Sequence, residues 1–403
     1  MAPPATANVS NRSKKVNLDR RFFWCHTKEM TKTQSKNSVG ILGGGQLARM
    51  LALAAHNMGL IPWVLSTSPD DPAAQVTKWW IKGDPNNPKD LSRFLKNVDV
   101  LTVESEFLDA AVLERVCKNN KVKIFPSANL LFLLQDKLSQ KIILRKSNLP
   151  TLPFIDIQHA SHLDFAVKLF GLPLVLKKRR FGYDGYGIFI LKSSRDLNSI
   201  LKSLDFKNSP CIAEPWFKFK RELAVTIARS KKGQIRILPL VETKQKNSIC
   251  HWVKGPVKSK FFNKMVKPIC RFLKKIDYVG AISFEFFETK KELVINELAP
   301  RVHNSAHYSI DALTTSQFDY HLKAIIGHDL PVSKTIQPAF GTVNLLGSGK
   351  KNSQLANSPD TFLHWYGKSI KRKGRKMGHV NSLGDTPAQA LAKARQAEKE
   401  FSK

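Results

Sequence analysis

Ala281-Ile282-Ser283-Phe284-Glu285-Phe286 and Leu293-Val294-Ile295-Asn296-Glu297-Leu298 carry more information than any other part of this chain. Both read as short apolar strands, the first by strict alternation, and each holds one glutamate. Thr289-Lys290-Lys291 between them is a polar turn, so two adjacent antiparallel strands would set both carboxylates side by side. Glutamates in apolar strands are costly unless something pairs them. Magnesium bridging carboxylates and nucleotide phosphates is one solution; an ion pair with a nearby Lys or Arg is the other.

Upstream lies Val175-Leu176-Lys177-Lys178-Arg179-Arg180-Phe181-Gly182-Tyr183-Asp184-Gly185-Tyr186-Gly187. A strand delivers Lys177, and a glycine-rich loop follows. Such a loop can fold over a triphosphate while the lysine compensates its charge; a plain surface hairpin has the same composition. Directly after Glu297 comes Ala299-Pro300-Arg301-Val302-His303-Asn304-Ser305-Ala306-His307. Arg, His and Asn packed beside two acids suit a small anionic acceptor, with a core or surface role as the alternative for each histidine.

Order begins at Ser38. Val39 to Leu42, Ile61 to Leu65 and Val98 to Val103 read as strands, with a helix ending near Met58 after the first. Alternation of this kind predicts a parallel sheet with helices on both faces. Gly43-x-Gly45-x-x-Ala48 stands where a dinucleotide loop would, but Leu65-Ser66-Thr67 replaces the acid expected at the end of the second strand. The turn is therefore expected to place its amides near some other anion. A second α/β region follows to about His328, then an apolar run (Gly341 to Leu346), a basic loop and an Ala-rich helix (Pro387 to Phe401).

The 403 residues suffice for two or three domains, and no apolar run approaches the roughly 20 residues that cross a bilayer. Five scattered cysteines without a CxxC pair read as reduced thiols in a cytosol-like compartment. The net charge of +33 would suit nucleic acid. The lysines are spread along the whole length without aromatic interleaving, however, which favours an ordinary basic surface that steers anionic substrates. Residues 1–37 are polar and basic, and read as a mobile, disordered tail. A transit peptide would show a sustained amphipathic helix; a translation start at Met30 also accounts for the segment.

Taken together, these motifs resemble one family, the ATP-grasp 5-(carboxyamino)imidazole ribonucleotide synthases of purine biosynthesis, over about residues 38–390. Besides the stretches above, Ser316-Gln317-Phe318 and Gly374-Arg375-Lys376-Met377-Gly378-His379 carry the likeness. The resemblance implies an α/β fold, α+β overall: a Rossmann-like domain (38–130), an ATP-grasp domain with a mobile lid (131–328) and a small C-terminal domain (329–403). It implies cytoplasmic carboxylation of aminoimidazole ribonucleotide by bicarbonate and ATP through carboxyphosphate, with magnesium or manganese, without biotin, in a homodimer.

By the same resemblance, ATP meets Lys137, Lys177, Glu214, the backbone of Phe217, Glu222, Gln245 and Asn296, and Glu285 and Glu297 hold the metal. Arg301, His303 and Asn304 lie where bicarbonate reacts. Gly182, Gly185, Tyr186 and Gly187 form the lid loop. Tyr183 and Asp184 face the ribonucleotide, and Lys368, Arg375 and Lys376 grip its phosphate. The chain departs from the family pattern at Tyr186, where a cation is usual, at Ile188 and Lys178, and at Gln245 in place of a histidine. An altered acceptor, weak activity or a non-catalytic nucleic-acid-binding derivative are the alternatives those departures raise.

Overall fold

The structure, a computed structural model, describes residues 37–182, 186–246, 248–347, 358–369 and 373–401. The expected tail, apart from Asn37, lies outside the described residues, and so do Tyr183, Asp184 and Gly185.

The first sheet is parallel throughout. β1 (Ser38–Leu42), β2 (Ile61–Ser66), β3 (Trp80–Lys82), β4 (Val100–Val103) and β5 (Lys123–Phe125) are ordered β3-β2-β1-β4-β5. Val39, Ile41 and Leu42 are all fully buried, which is why β1 reads as a continuous apolar run: both faces of the sheet are covered. α1 (Gln46–Asn57) packs with Val39, Ile41 and Val64 on one side. α2 (Pro88–Leu95) and α3 (Ala110–Asn120) pack with Leu42, Leu65 and Leu101 on the other. α4 (Ala128–Leu134) and α5 (Lys137–Lys146) lead out of this layer.

The anion expected at the first glycine cluster belongs to the chain itself. Glu104, at the end of β4, accepts hydrogen bonds from the backbone N–H of Gly45 (2.7 Å) and Ala48 (3.2 Å). Its carboxylate fills the start of α1, where free N–H groups and the helix dipole favour negative charge. A Cβ on Gly43 would lie 2.5 Å from the Glu104 side chain.

The second sheet is small and antiparallel: β6 (Ile155–Ile157), β7 (Leu174–Lys178), β8 (Ile188–Leu191) and β9 (Cys211–Pro215), ordered β6-β9-β7-β8. α6 (Ala160–Phe170) and α7 (Ser194–Ser203) cover it through Leu163, Ala166 and Ile200.

The third sheet has nine strands: β10 (Arg221–Arg229), β11 (Ile235–Ile237), β12 (Val241–Lys246), β13 (Ile249–Gly255), β14 (Gly280–Glu288), β15 (Leu293–Ala299), β16 (Ala339–Leu346), β17 (Thr361–Trp365) and β18 (Lys376–Gly384). Their order is β15-β14-β10-β12-β13-β16-β18-β17, with β11 on β10, so the C-terminal strands extend the sheet that carries both glutamates. α8 (Phe262–Lys275) seats Met265, Ile269, Phe272 and Leu273 against β10, β14 and β15. α9 (Ser309–Ala312) and α10 (Gln317–Ile326) lie near β18 and α1, and α11 (Pro387–Phe401) closes on β16 and β18. No helix of the described residues is long and apolar enough to cross a membrane.

Gly43 has φ +108°, in a region that a side chain strains. Gly43→Ala is therefore expected to lose about 1–3 kcal/mol of stability, visible as a lower midpoint in thermal or urea unfolding; an unchanged midpoint would contradict the close fit of Glu104 in this loop.

Candidate active site

β14 and β15 form the hairpin the sequence suggests, and Glu285 and Glu297 are direct register partners. The register then slips: Phe286 pairs with Ile295, leaving Asn296 as an extra residue on β15. Such a bulge re-aims side chains. Here Asn296 and Glu297 both line one cavity with Glu285 and Phe287, while Phe284, Phe286, Ile295 and Leu298 turn away into the core under α8. The cavity measures about 660 Å³ and reaches from the glycine loop to the third sheet.

Two lysines approach the pair. Lys137, the first residue of α5, makes an ion pair with Glu297. Asp136 fixes that end of α5: its carboxylate caps the N–H groups of Leu138 (2.9 Å) and Ser139 (3.2 Å) and binds Arg179 (2.7 Å). Lys177, on β7, donates to Asn296 Oδ1 at 2.9 Å and reaches Glu214 Oε2 at 2.7 Å. Glu214 is almost fully enclosed, and its other oxygen meets Lys141. The carboxylate of Glu214 is thus held by two ammonium groups, leaving the backbone at the end of β9 as its open side.

The two partner glutamates are electrostatically unlike. Burial raises the Glu285 pKa, and the Glu297 charge beside it adds to the effect. Burial also opposes ionisation of Glu297, but Lys137 outweighs it and holds that carboxyl below the usual range. His303 lies between them and the next group, with Nε2 3.6 Å from Glu285 Oε1 and Nδ1 2.9 Å from Ser305 Oγ. Burial, with Arg301 and Lys376 nearby, pushes His303 down to about 3, so it is a neutral imidazole at ordinary pH. Arg301 binds Glu106 through two nitrogens, the longer contact 3.2 Å. Asn304 and Asn344 exchange amide hydrogen bonds of 2.9 and 2.8 Å, tying the reactive turn to β16.

Phe217, Phe219 and Phe287 make an aromatic wall, with Phe219 and Phe287 stacked at 4.4 Å. A purine fits such a surface. Glu222 accepts the backbone N–H of Gln245 at 3.1 Å, and both residues line the cavity. Of the expected lid residues, Gly182 lines the cavity, whereas Tyr186 is mostly exposed, with the Lys178 ammonium 5.4 Å over its ring. Gly187 anchors the loop by accepting from Lys178 N–H at 2.8 Å. Lys376 lines the cavity; Lys368 donates to its carbonyl at 2.7 Å, and Arg375 precedes it at the edge.

A triphosphate-sized, strongly cationic cleft with paired carboxylates and an aromatic wall is the setting in which comparisons with known proteins gain meaning. The ribonucleotide synthetase preATP-grasp domain matches residues 36–135, the ATP-grasp domain 142–318 and the phosphoribosylaminoimidazole carboxylase C-terminal domain 342–393. The N5-carboxyaminoimidazole ribonucleotide synthase of Synechococcus elongatus is 38% identical, over 89% of this chain and 92% of its own. The chain belongs to the N5-carboxyaminoimidazole ribonucleotide synthase family of ATP-grasp ligases.

Solved structures of the family agree. The Staphylococcus aureus N5-carboxyaminoimidazole synthetase complexed with ADP superposes with a TM-score of 0.83 at 32% identity, covering 90% of this chain and 97% of that one. The Aspergillus clavatus enzyme, in complex with ADP and 5-aminoimidazole ribonucleotide, gives 0.81 at 29%, covering 91% and 98%. Sequence reasoning about the family site passed over Glu104, Glu106, Lys141 and Asn344. Glu104 and Glu106 did leave a signal: they follow a parallel strand, at the carboxyl end where ligands collect in such sheets.

The raised pKa of Glu285 has a consequence for stability. An unfolded glutamate loses its proton near the ordinary value of 4.5, whereas the folded one resists. Folding therefore weakens as pH rises from about 4.5 toward the folded pKa. Glu285→Gln lacks this penalty and is expected to melt about 2–4 °C higher at about pH 7.5 and to match the parent at about pH 4; equal melting at both would argue against the buried charge.

Proposed function

We propose that this protein joins bicarbonate to 5-aminoimidazole ribonucleotide at the expense of ATP, giving N5-carboxyaminoimidazole ribonucleotide, ADP and phosphate in de novo purine biosynthesis. The observation that carries the reading is the register pairing of Glu285 with Glu297 on the wall of a cleft shared with Lys137, Lys177 and Arg301. Family membership and the Aspergillus clavatus complex support the same acceptor.

Bicarbonate is a poor electrophile. Its oxygen takes the γ-phosphoryl group, the bond to ADP breaks, and carboxyphosphate results. The ribonucleotide's amine then attacks the carboxyl carbon, phosphate leaves, and the amine gives up a proton. Because carboxyphosphate itself carries the activated carboxyl, biotin has no task here. Lys137 and Lys177 are suited to spread charge from the transferring phosphoryl group. Arg301, fixed by Glu106, offers a rigid cationic fork to bicarbonate, and neutral His303 adds a hydrogen-bonding face without competing for the anion. Lys376, Lys368 and Arg375 bring positive charge for the ribonucleotide's phosphate.

Among the described residues no three His, Cys, Asp or Glu side chains meet as a metal site by themselves. Two carboxylates with the remaining positions left to phosphate oxygens is the arrangement magnesium favours, so Glu285 and Glu297 fit that ion. When bound, it would neutralise the phosphates and align them. We assign the domain divisions near residues 130 and 328, the homodimer and a cytoplasmic location to the same reading.

ADP release followed with each substrate omitted tests it. Release should require ATP, bicarbonate and the ribonucleotide together; an equal rate without the ribonucleotide would sink the assignment of acceptor. Glu297→Gln is expected to lower the coupled rate by at least about a hundredfold while the circular dichroism spectrum stays native.

A further inference from the structure

Behind the cleft lies a group the chemistry above does not use. Lys141 sits one turn of α5 beyond Lys137, its side chain only 3% exposed, and it does not line the cavity. Its ammonium pairs with Glu214 and donates to Thr151 Oγ1 at 2.8 Å, whose hydroxyl in turn donates to the Ile295 carbonyl at 2.9 Å. Lys141 is thereby anchored to β15, one residue before Asn296. Glu214 bridges it to Lys177, giving a dry row Lys141–Glu214–Lys177–Asn296 that ties α5 and the second sheet to the third.

This row sets a physical condition on Lys177. To meet a phosphate, its ammonium must loosen from Glu214. A buried carboxylate left without a partner is strongly unfavourable, and without a second cation Glu214 would keep Lys177 for itself. Lys141 stays with Glu214 whichever way Lys177 turns. Its own pKa, pushed down to about 8 by burial and by the neighbouring lysines against the pull of Glu214, fits a cation whose charge that carboxylate sustains.

We propose that Lys141 is a positioning residue that keeps Glu214 permanently neutralised and so frees Lys177 to engage the nucleotide's phosphates. This rests on the reading of Lys177 as a phosphate ligand, and the test separates the two. Affinities for ATP and for adenosine are measured by calorimetry without bicarbonate or ribonucleotide, so the acceptor plays no part.

Lys141→Met should bind ATP roughly 10- to 100-fold more weakly, the loss expected for a charge-assisted contact to phosphate, while adenosine affinity moves less than about twofold. Removing the trapping carboxylate as well, in Lys141→Met/Glu214→Gln, should restore most of the ATP affinity, and Lys141→Arg should keep it. A purely structural lysine would give the opposite pattern: equal losses for ATP and adenosine, or a double variant worse than the single one, and either overturns the proposal. If the single variant does not fold, the double variant, which holds no unpaired carboxylate, decides alone: ATP binding close to the parent supports the role and a hundredfold loss defeats it. Lys177→Met binding ATP as tightly as the parent would remove the phosphate reading of Lys177, and the proposal with it, whatever the acceptor proves to be.

Discussion

Two carboxylates held opposite each other across a β-hairpin are the constraint around which the rest of this structure is arranged. Like charges in register destabilise a strand pair, and neither glutamate is open enough to be well hydrated. The fold meets that cost from several directions. The Asn296 bulge turns Glu297 to the cavity side, α5 brings Lys137 to it, and Glu285 is left to resist ionisation. On the reverse face of the same strands, Phe284, Phe286, Ile295 and Leu298 are locked under α8. A hairpin gripped this firmly from behind can present an unfavourable charge pair in front.

Much of this was legible in the sequence because it is local. Alternation around Glu285, the short apolar run around Glu297 and the polar turn between them fix a hairpin, and a hairpin fixes the register. Pro387 to Phe401 is likewise a helix with the bounds its composition suggests. The glycine cluster at 43–45 was legible only in part. That its amides seek an anion follows from the strand–turn–helix setting, but that the anion is Glu104 depends on β1 and β4 being sheet neighbours. Strand order is not written in local pattern.

The residues missed share one property: their partners are far away in sequence. Lys141 reads as one more lysine on a helix, and only the approach of β9 brings Glu214 onto it. Asn344 looks like a polar residue in an apolar run, and its meaning appears when β16 settles beside the 301–304 turn. Tyr186 shows the converse. Its place in the glycine loop suggested a lost cation beside the reacting groups; the structure turns it outward and sets Lys178 over its ring, so a positive charge still stands at that loop.

The C-terminal strands bear on the chemistry more than their position at the end of the chain suggests. β16 pairs with β13 and β18, in the sheet that carries the glutamates. Asn344 on β16 steadies Asn304, and Lys376 at the start of β18 reaches the cavity wall. α11 presses on this pair so closely that a Cβ at Gly341 would lie 2.6 Å from the Leu391 backbone nitrogen. A sheet shared in this way transmits position: moving α11 or β16 moves the turn bearing Arg301 and His303 relative to Glu285. The last strands and the terminal helix are therefore part of the wall that keeps the acceptor side of the cleft in register with its nucleotide side.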